Sequence, residues 1–277
     1  MRAAAVQLNS TDDKQRNLET AERLVRAAAD DGAGLIALPE KWNLLGSGEA
    51  LVGGAEEIDG PTITAARSWA RDLVVHLVAG SIAERVPGQE KLFNTSVLIG
   101  PDGDIEATYR KIHMFDVDVG GVAYRESEHE EPGSEIVVAQ AGEVPVGLTV
   151  CYDLRFPELY RILAVRGARV ITIPSAFTLH TGKDHWEVLL RARAIENSAF
   201  VVAPDQVGEA PPHYHSYGRS MILDPWGVVL ATANDRECFI VAELDFPLQD
   251  RIRGTLPSLA NRRPESYRWP EASEIPA

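Results

Sequence analysis

The chain has few cysteines, no long apolar run and no excess of positive charge, and each of these shortages excludes a class of protein. It has two cysteines, Cys151 and Cys238, which stand far apart without the C-x-x-C spacing of metal sites. Its formal net charge of −14 argues against non-specific nucleic-acid binding, which depends on clusters of lysine and arginine. No segment approaches the ~18 consecutive apolar residues that a membrane helix needs. The sequence therefore predicts no metal centre, no nucleic-acid partner and no membrane partner.

The composition and the first residues indicate an ordinary globular protein of the cytoplasm. Residues 1–7 carry one basic residue and then turn polar, which is unlike a signal peptide. A hydrophobic content of 45% with 25% charged residues is typical of a folded chain with a large core. In a reducing compartment both cysteines are expected to be free thiols. No linker or low-complexity tract divides the chain, so we predict one domain over residues 1–277.

Apolar runs alternate with helical periodicities along the chain, which predicts a layered α/β fold. Residues 3–8 and 35–38 are apolar runs, and the segment between them has helical spacing. The same β-α-β order returns in the second half, and each half then carries a hairpin signal. We therefore predict a two-sheet sandwich with pseudo-twofold halves. Residues 120–132 and 208–218 are predicted to be loops, and the Pro-rich tail over 251–277 an extended segment.

Three chemically useful side chains directly follow predicted strands. Cys151 ends an apolar run and precedes a helix, so the helix dipole favours its thiolate, and the N–H of Tyr152 faces a possible oxyanion. Glu40 follows a short apolar run, and Lys111 follows the second strand of a predicted hairpin. Ligand sites of layered α/β proteins commonly lie at such strand ends. Each residue alone also has an ordinary interpretation, as an inert buried thiol, a solvated carboxylate or a surface lysine.

Together the three residue types suit amide hydrolysis without a metal, which needs a nucleophile, a proton shuttle and donors for the oxyanion. The segments Leu38-Pro39-Glu40, Tyr109-Arg110-Lys111-Ile112-His113 and Thr149-Val150-Cys151-Tyr152-Asp153-Leu154-Arg155-Phe156-Pro157-Glu158 resemble those of the nitrilase, or carbon–nitrogen hydrolase, superfamily in order and separation. The resemblance covers nearly the whole chain. It implies the Glu–Lys–Cys triad of that family at Glu40, Lys111 and Cys151. It also implies a second glutamate before the cysteine, which falls on Glu126 in a loop rich in acidic residues.

The resemblance further implies a fold, an assembly and an activity. The fold is an αββα sandwich of two mixed sheets flanked by helices, and the assembly is a homodimer or higher homo-oligomer that the C-terminal tail crosses. Segments 174–178, 181–182, 185–196 and 224–227 resemble the branch with deaminated-glutathione amidases and omega-amidases. The expected activity is hydrolysis of a small carboxamide to a carboxylic acid and ammonia through a cysteine thioester, with no cofactor. The alternatives are an aliphatic amidase, an N-carbamoyl amidohydrolase, a nitrilase and a catalytically silent binding protein.

Further residues are predicted to line the pocket because they lie beside the triad or follow the next strand. They are Phe115, Tyr124, Tyr152, Arg155, Ser175, Ala176, Phe177, Thr178, His185 and Trp186. Arg155 either binds a carboxylate of the substrate or pairs with Asp153 or Glu158. A Cys–His dyad with His113 or His185 is a further alternative, but it belongs to a different scaffold and residue order.

Overall fold

The computed structural model describes residues 1–212 and 214–270, in which strands and helices alternate. The strands are β1 (Arg2–Gln7), β2 (Leu35–Ala37), β3 (His76–Val78), β4 (Ile82–Glu84), β5 (Phe93–Ile99), β6 (Ile105–Arg110), β7 (Asp116–Val119), β8 (Val122–Arg125), β9 (Val138–Ala141), β10 (Val144–Leu148), β11 (Val170–Thr172), β12 (Phe200–Ala203), β13 (Val207–Ala210), β14 (Tyr214–Tyr217), β15 (Met221–Leu223), β16 (Val229–Thr232) and β17 (Cys238–Glu243). The helices are α1 (Lys14–Asp30), α2 (Gly48–Gly54), α3 (Pro61–Leu73), α4 (Pro157–Val165), α5 (Leu179–Asn197) and α6 (Phe246–Thr255).

Two mixed sheets form the centre of the fold. The first has the strand order β17-β1-β2-β3-β5-β4, with β6 also paired to β5, and the second has the order β16-β15-β12-β11-β10-β9. Strands β1, β2 and β3 run parallel, as do β10, β11 and β12. An antiparallel strand flanks each parallel set on one side and an antiparallel hairpin on the other. The two halves of the chain therefore have matching topologies.

Helices cover the outer face of each sheet, which confirms the predicted αββα sandwich. In β1, Ala3 and Ala5 face the core between the sheets, whereas Ala4 and Val6 pack with residues of α1 and α3. This alternation follows from the two-residue period of a strand. Helices α4 and α5 cover the second sheet in the same way. None of the helices in the described ranges is both long and apolar enough to cross a membrane.

Some segments differ from the prediction. Residues 116–125 form the hairpin β7–β8, which turns at Gly120 and Gly121, with φ values of 62° and 79°. The left-handed conformation of both glycines makes this tight turn possible, so a stretch that reads as a glycine-rich loop is in part a hairpin. The predicted loop 208–218 holds strands β13 and β14 in the same way.

The C-terminal tail is also not extended at its start. Helix α6 continues to Thr255, and the side chain of Asp245 caps it by accepting from the N–H of Leu248 at 2.9 Å. This cap and the proline at the first turn are the helix-start signals that the prediction overlooked. Residues 271–277 of the tail lie outside the described residues.

Candidate active site

The predicted triad meets at the ends of strands from both sheets. Glu40 follows β2, Lys111 follows β6, and Cys151 lies just beyond β10. The Nζ atom of Lys111 is 3.0 Å from Oε1 of Glu40, and all three residues border the same cavity. Their exposed fractions are 4%, 1% and 8% for Glu40, Lys111 and Cys151. Glu40 and Lys111, which are 71 positions apart, thus form one buried polar cluster with Cys151.

Cys151 lies on a sharp turn between β10 and helix α4. Its φ of 47° is in the left-handed region, which is uncommon for a residue other than glycine. Its N–H donates to the carbonyl oxygen of Pro174 at 2.8 Å. The carboxylate of Asp153 accepts from the N–H of Val150 at 2.9 Å and from the hydroxyl of Tyr109 at 2.6 Å. Asp153 therefore connects the cysteine turn to the strand that leads to Lys111.

The histidines of the alternative dyad have other partners. The Nδ1 atom of His113 is 2.7 Å from Oδ1 of Asp153, and its ring stacks on Phe156 with 3.5 Å between centroids. His185 lies 3.3 Å from a guanidinium nitrogen of Arg155 and does not border the cavity. Within the described residues, no hydrogen bond joins either ring to Cys151. The geometry therefore favours a carboxylate over a histidine as the partner of the cysteine.

Glu40 is held by donors on both carboxylate oxygens. Oε1 accepts from Lys111 and from Nδ2 of Asn94 at 2.8 Å, while Oε2 accepts from the N–H of Ala176 at 2.9 Å. The turn that carries Glu40 also packs closely on Gly80, whose φ is 45°. A Cβ atom at Gly80 would overlap the carbonyl oxygen of Pro39, so only glycine fits beneath the turn.

Burial and the nearby Glu40 carboxylate raise the pKa of the Cys151 thiol well above its ordinary value, although Lys111 opposes this effect. The resting cysteine is therefore a neutral thiol, which corrects the expectation that a helix dipole favours its thiolate. The physical reason is that burial of the sulfur and the negative charge of Glu40 both disfavour the thiolate, even though Cys151 opens a short 3-10 helix (Cys151–Arg155). A neutral thiol needs a base, and Glu40 is in position to be that base.

Among the acidic residues of its loop, Glu126 is the one that contacts Lys111. Its two oxygens lie 2.8 and 2.7 Å from Nζ, and the N–H of Phe115 donates to Oε2 at 2.7 Å. Burial favours the neutral acid, but Lys111 and Lys41 together lower the pKa of Glu126 far below its ordinary value. Glu130 instead contacts Lys41 at 2.8 Å. Tertiary contacts therefore support the choice of Glu126 that the resemblance implied.

Among the residues around the site that the sequence-based prediction missed are Asn94 and Lys41. Asn94 donates to both Glu40 and Glu126, and Lys41 borders the cavity directly after Glu40 in the chain. The available signals were an asparagine inside an apolar strand and a lysine directly beside a predicted base. Both are weak signals, because polar residues in such places are also common at solvent-facing positions.

The triad opens into a cavity of about 470 Å³. Most of the predicted lining residues border it, namely Phe115, Tyr124, Tyr152, Arg155, Ala176, Phe177 and Thr178. Ser175, Trp186 and His185 do not border the cavity, which corrects their prediction as lining residues. Ser175 and Trp186 are fully buried, and Ser175 supports the site through its carbonyl oxygen, which accepts from the N–H of Glu40 at 3.4 Å.

The structure distinguishes the two roles predicted for Arg155, which were binding a carboxylate of the substrate and forming an ion pair within the chain. Its guanidinium carbon lies 5.1 Å from the ring centroid of Phe177 and 5.9 Å from that of Tyr152. Within the described residues it forms no ion pair, so the alternative partners Asp153 and Glu158 are not used. The side chain is therefore free to bind an anion in the cavity.

Comparison with known proteins agrees with this geometry. The sequence profile of the carbon–nitrogen hydrolase family matches residues 2–253. The chain belongs to the carbon–nitrogen hydrolase family. This hydrolase is 40% identical over 264 residues to the deaminated glutathione amidase of Synechocystis. The aligned region covers 94% of this chain and 97% of that relative. It is 37% identical over 267 residues to the omega-amidase NIT2 of Mus musculus, covering 96% of each chain.

Solved structures of the family have the same fold. The C. elegans NitFhit protein matches with a TM-score of 0.89 and 35% identity, covering 96% of this hydrolase and 66% of that longer chain. The predicted family and fold are therefore confirmed. Membership and the amidase relatives also establish that this hydrolase acts on carbon–nitrogen bonds other than peptide bonds.

Proposed function

We propose that this hydrolase cleaves the terminal carboxamide of a small molecule that also carries a carboxylate, as in the substrates of deaminated-glutathione amidases and omega-amidases. The observation that carries the proposal is the cluster of Glu40, Lys111 and Cys151 at one cavity, in which a neutral thiol lies beside a carboxylate. The guanidinium of Arg155, which forms no ion pair among the described residues, borders the same cavity and can pair with the carboxylate of the substrate.

The proposed reaction begins when Glu40 accepts the proton of Cys151 and the sulfur attacks the amide carbon. The Lys111 ammonium and the N–H of Tyr152 hold the oxyanion, and each such donor contributes roughly 10²–10³ in rate. Glu40 returns the proton to the departing nitrogen, ammonia leaves, and a thioester remains on Cys151. Water that transfers a proton to Glu40 attacks the thioester, which releases a carboxylic acid and restores the thiol. Glu126 holds the Lys111 ammonium in place throughout.

Ammonia release from a substrate panel tests the proposal. The panel contains deaminated glutathione, 2-oxoglutaramate, an uncharged aliphatic amide of similar length, an N-carbamoyl compound and a nitrile. We expect kcat/KM for the carboxylate-bearing amides to exceed that for the uncharged amide by about tenfold or more, since a charge-assisted hydrogen bond contributes about 1.5–3 kcal/mol. Cys151→Ala should release no ammonia. If the wild type with reduced Cys151 releases none from any compound, the proposed function is wrong.

The role of Arg155 has its own variant in the same assay. Arg155→Met removes the guanidinium and should abolish most of the preference for carboxylate-bearing amides, mainly through KM. Arg23→Met is the matched control, because Arg23 is an exposed residue on helix α1, outside the cavity. An unchanged preference in Arg155→Met would assign recognition of the carboxylate to another residue.

We also propose that the whole chain forms one domain that assembles as a homodimer in the reducing cytoplasm, where a catalytic thiol stays free. Large apolar side chains are exposed on α4, on α5 and on the β15–β16 turn, namely Ile162, Val165, Val188, Ile195 and Trp226. Exposed large apolar side chains on neighbouring elements are common at protein–protein contacts. Light scattering should give about twice the 30.3 kDa chain mass, and Val165→Glu should lower it to that of one chain.

A further inference from the structure

Asn94 is a fully buried residue of strand β5 that forms three hydrogen bonds with the polar groups in and around Lys111. Its Nδ2 donates to Oε1 of Glu40 at 2.8 Å and to Oε1 of Glu126 at 3.2 Å. Its main-chain carbonyl accepts from the N–H of Lys111 at 2.9 Å. The opposite amide orientation would place the acceptor Oδ1 against two carboxylates, which are also acceptors. The Nδ2 end, which carries the N–H donors, therefore faces them.

The two carboxylates that Asn94 joins also share one ammonium. Nζ of Lys111 lies 3.0 Å from Glu40 and 2.7 Å from Glu126. Two carboxylates around one ammonium repel each other, and because Lys111 and Lys41 keep Glu126 ionised, this repulsion opposes the charge of Glu40. A proton retained on Glu40 would remove the base that Cys151 needs. A neutral side chain with two N–H donors stabilises both ionised carboxylates without adding a charge.

The stability of the fold does not explain this asparagine. Its Oδ1 is buried and has no hydrogen-bond partner within the described part of the chain. A buried acceptor without a partner costs about 1–3 kcal/mol, which an apolar side chain of similar shape would avoid. The useful property of Asn94 is therefore its pair of donors.

We propose that Asn94 is a positioning residue that keeps Glu40 and Glu126 ionised at the same time, so that Glu40 can take the proton of Cys151. The inference rests on the proposed function for the role of Glu40 as the base. Asn94 does not border the cavity, so it acts through the carboxylates and not on the substrate.

Two variants separate the parts of this inference. Asn94→Leu removes both donors at similar size, and Asn94→Asp replaces them with a further carboxyl group. Ser96→Ala is the matched control, because Ser96 lies two positions along β5, is equally buried and has no hydrogen-bond partner for Oγ within the described residues. Thermal unfolding of each variant establishes that the measured protein is folded.

The measurements are the pH dependence of kcat/KM for ammonia release and the pH dependence of Cys151 alkylation by iodoacetamide, read from the mass of its peptide. We expect both Asn94 variants to lower kcat at neutral pH by about tenfold or more while KM changes little. The acidic limb of both profiles should move up by about one pH unit, and further for Asn94→Asp because it adds a like charge. Ser96→Ala should keep the wild-type profiles.

The outcomes distinguish this inference from the proposed function. Folded Asn94 variants with the wild-type acidic limb overturn the inference, while wild-type turnover leaves the proposed function intact. A wild type without any turnover contradicts the proposed function, and the alkylation profiles then still decide the role of Asn94. Loss of folding in both variants, with Ser96→Ala stable, would make Asn94 a structural residue and overturn the inference as well.

Discussion

Lys111 and Lys41 are both buried, both border the same cavity and both contact a glutamate, yet the sequence motifs pointed only to Lys111. Lys111 is 1% exposed and contacts Glu40 and Glu126, whereas Lys41 is 8% exposed and lies 2.8 Å from Glu130 and 3.6 Å from Glu126. Burial opposes the charge of each lysine, but the surrounding carboxylates raise the pKa of both. Both are therefore cations at neutral pH.

The difference lies in the partners of the two lysines. Lys111 contacts the Glu40 carboxylate, whose charge raises the pKa of the Cys151 thiol. Lys41 contacts Glu130, and burial raises the pKa of Glu130 to about 8, an effect that Lys41 opposes and the Glu126 carboxylate reinforces. Glu130 therefore holds a proton at neutral pH, while Glu126 does not. Burial in an ion-pair cluster therefore does not by itself distinguish the two lysines, and the contact with Glu40 does.

The largest expected effect comes from neutralising each lysine in turn. Lys111→Met should lower kcat by about 10²–10³, because it removes a donor to the oxyanion. Lys41→Met should lower kcat by less than about tenfold, since Lys41 contacts neither Glu40 nor Cys151 through a hydrogen bond in the described residues. Ammonia release at saturating substrate measures both. Equal losses of kcat would remove the distinction between the two lysines.

Replacing the glutamate partners of the two lysines should lower kcat by smaller amounts, which again differ between the two variants. Glu126→Gln removes the charge that holds Lys111, and we expect kcat to fall about tenfold or more. Glu130→Gln replaces an acid that is already neutral at pH 7 with an amide of the same shape, so kcat should change by less than about threefold. Steady-state kinetics at pH 7 compare them, and a larger loss in Glu130→Gln would show that Glu130 works as a carboxylate.

The smallest expected effect is on the pH dependence of the free energy of unfolding, and this effect depends on Glu130 alone. Its pKa rises from an ordinary 4.5 to about 8 on folding, so between these values the folded protein holds a proton that the unfolded chain has lost. Raising the pH through this window therefore lowers the free energy of unfolding, by an amount on the order of a few kcal/mol. Urea unfolding from pH 5 to pH 8 should show a shallower decline in Glu130→Gln than in the wild type. Parallel declines would mean that Glu130 stays ionised in the folded protein.

The sequence by itself determined the layering and, through the family resemblance, predicted the triad. A strand buried on one or both faces needs apolar residues at a fixed period, and a helix on a sheet needs them at another, so the order of elements is encoded locally. Glu40, Lys111 and Cys151 were found because each stands directly after such a strand within a recognisable motif. The helix α6 and the hairpin β7–β8 were missed because their signals, a cap and two left-handed glycines, are also typical of loops.

Only the tertiary structure decided which polar groups meet and in which protonation state. Asn94 lies 54 positions from Glu40 and 32 from Glu126, and no local pattern encodes that it donates to both. The choice of Glu126 over Glu130 and the neutral state of Cys151 depend on burial and on charges brought together from distant segments. Such effects add over all neighbours in space, and a residue's neighbours in space are defined only once the chain has folded.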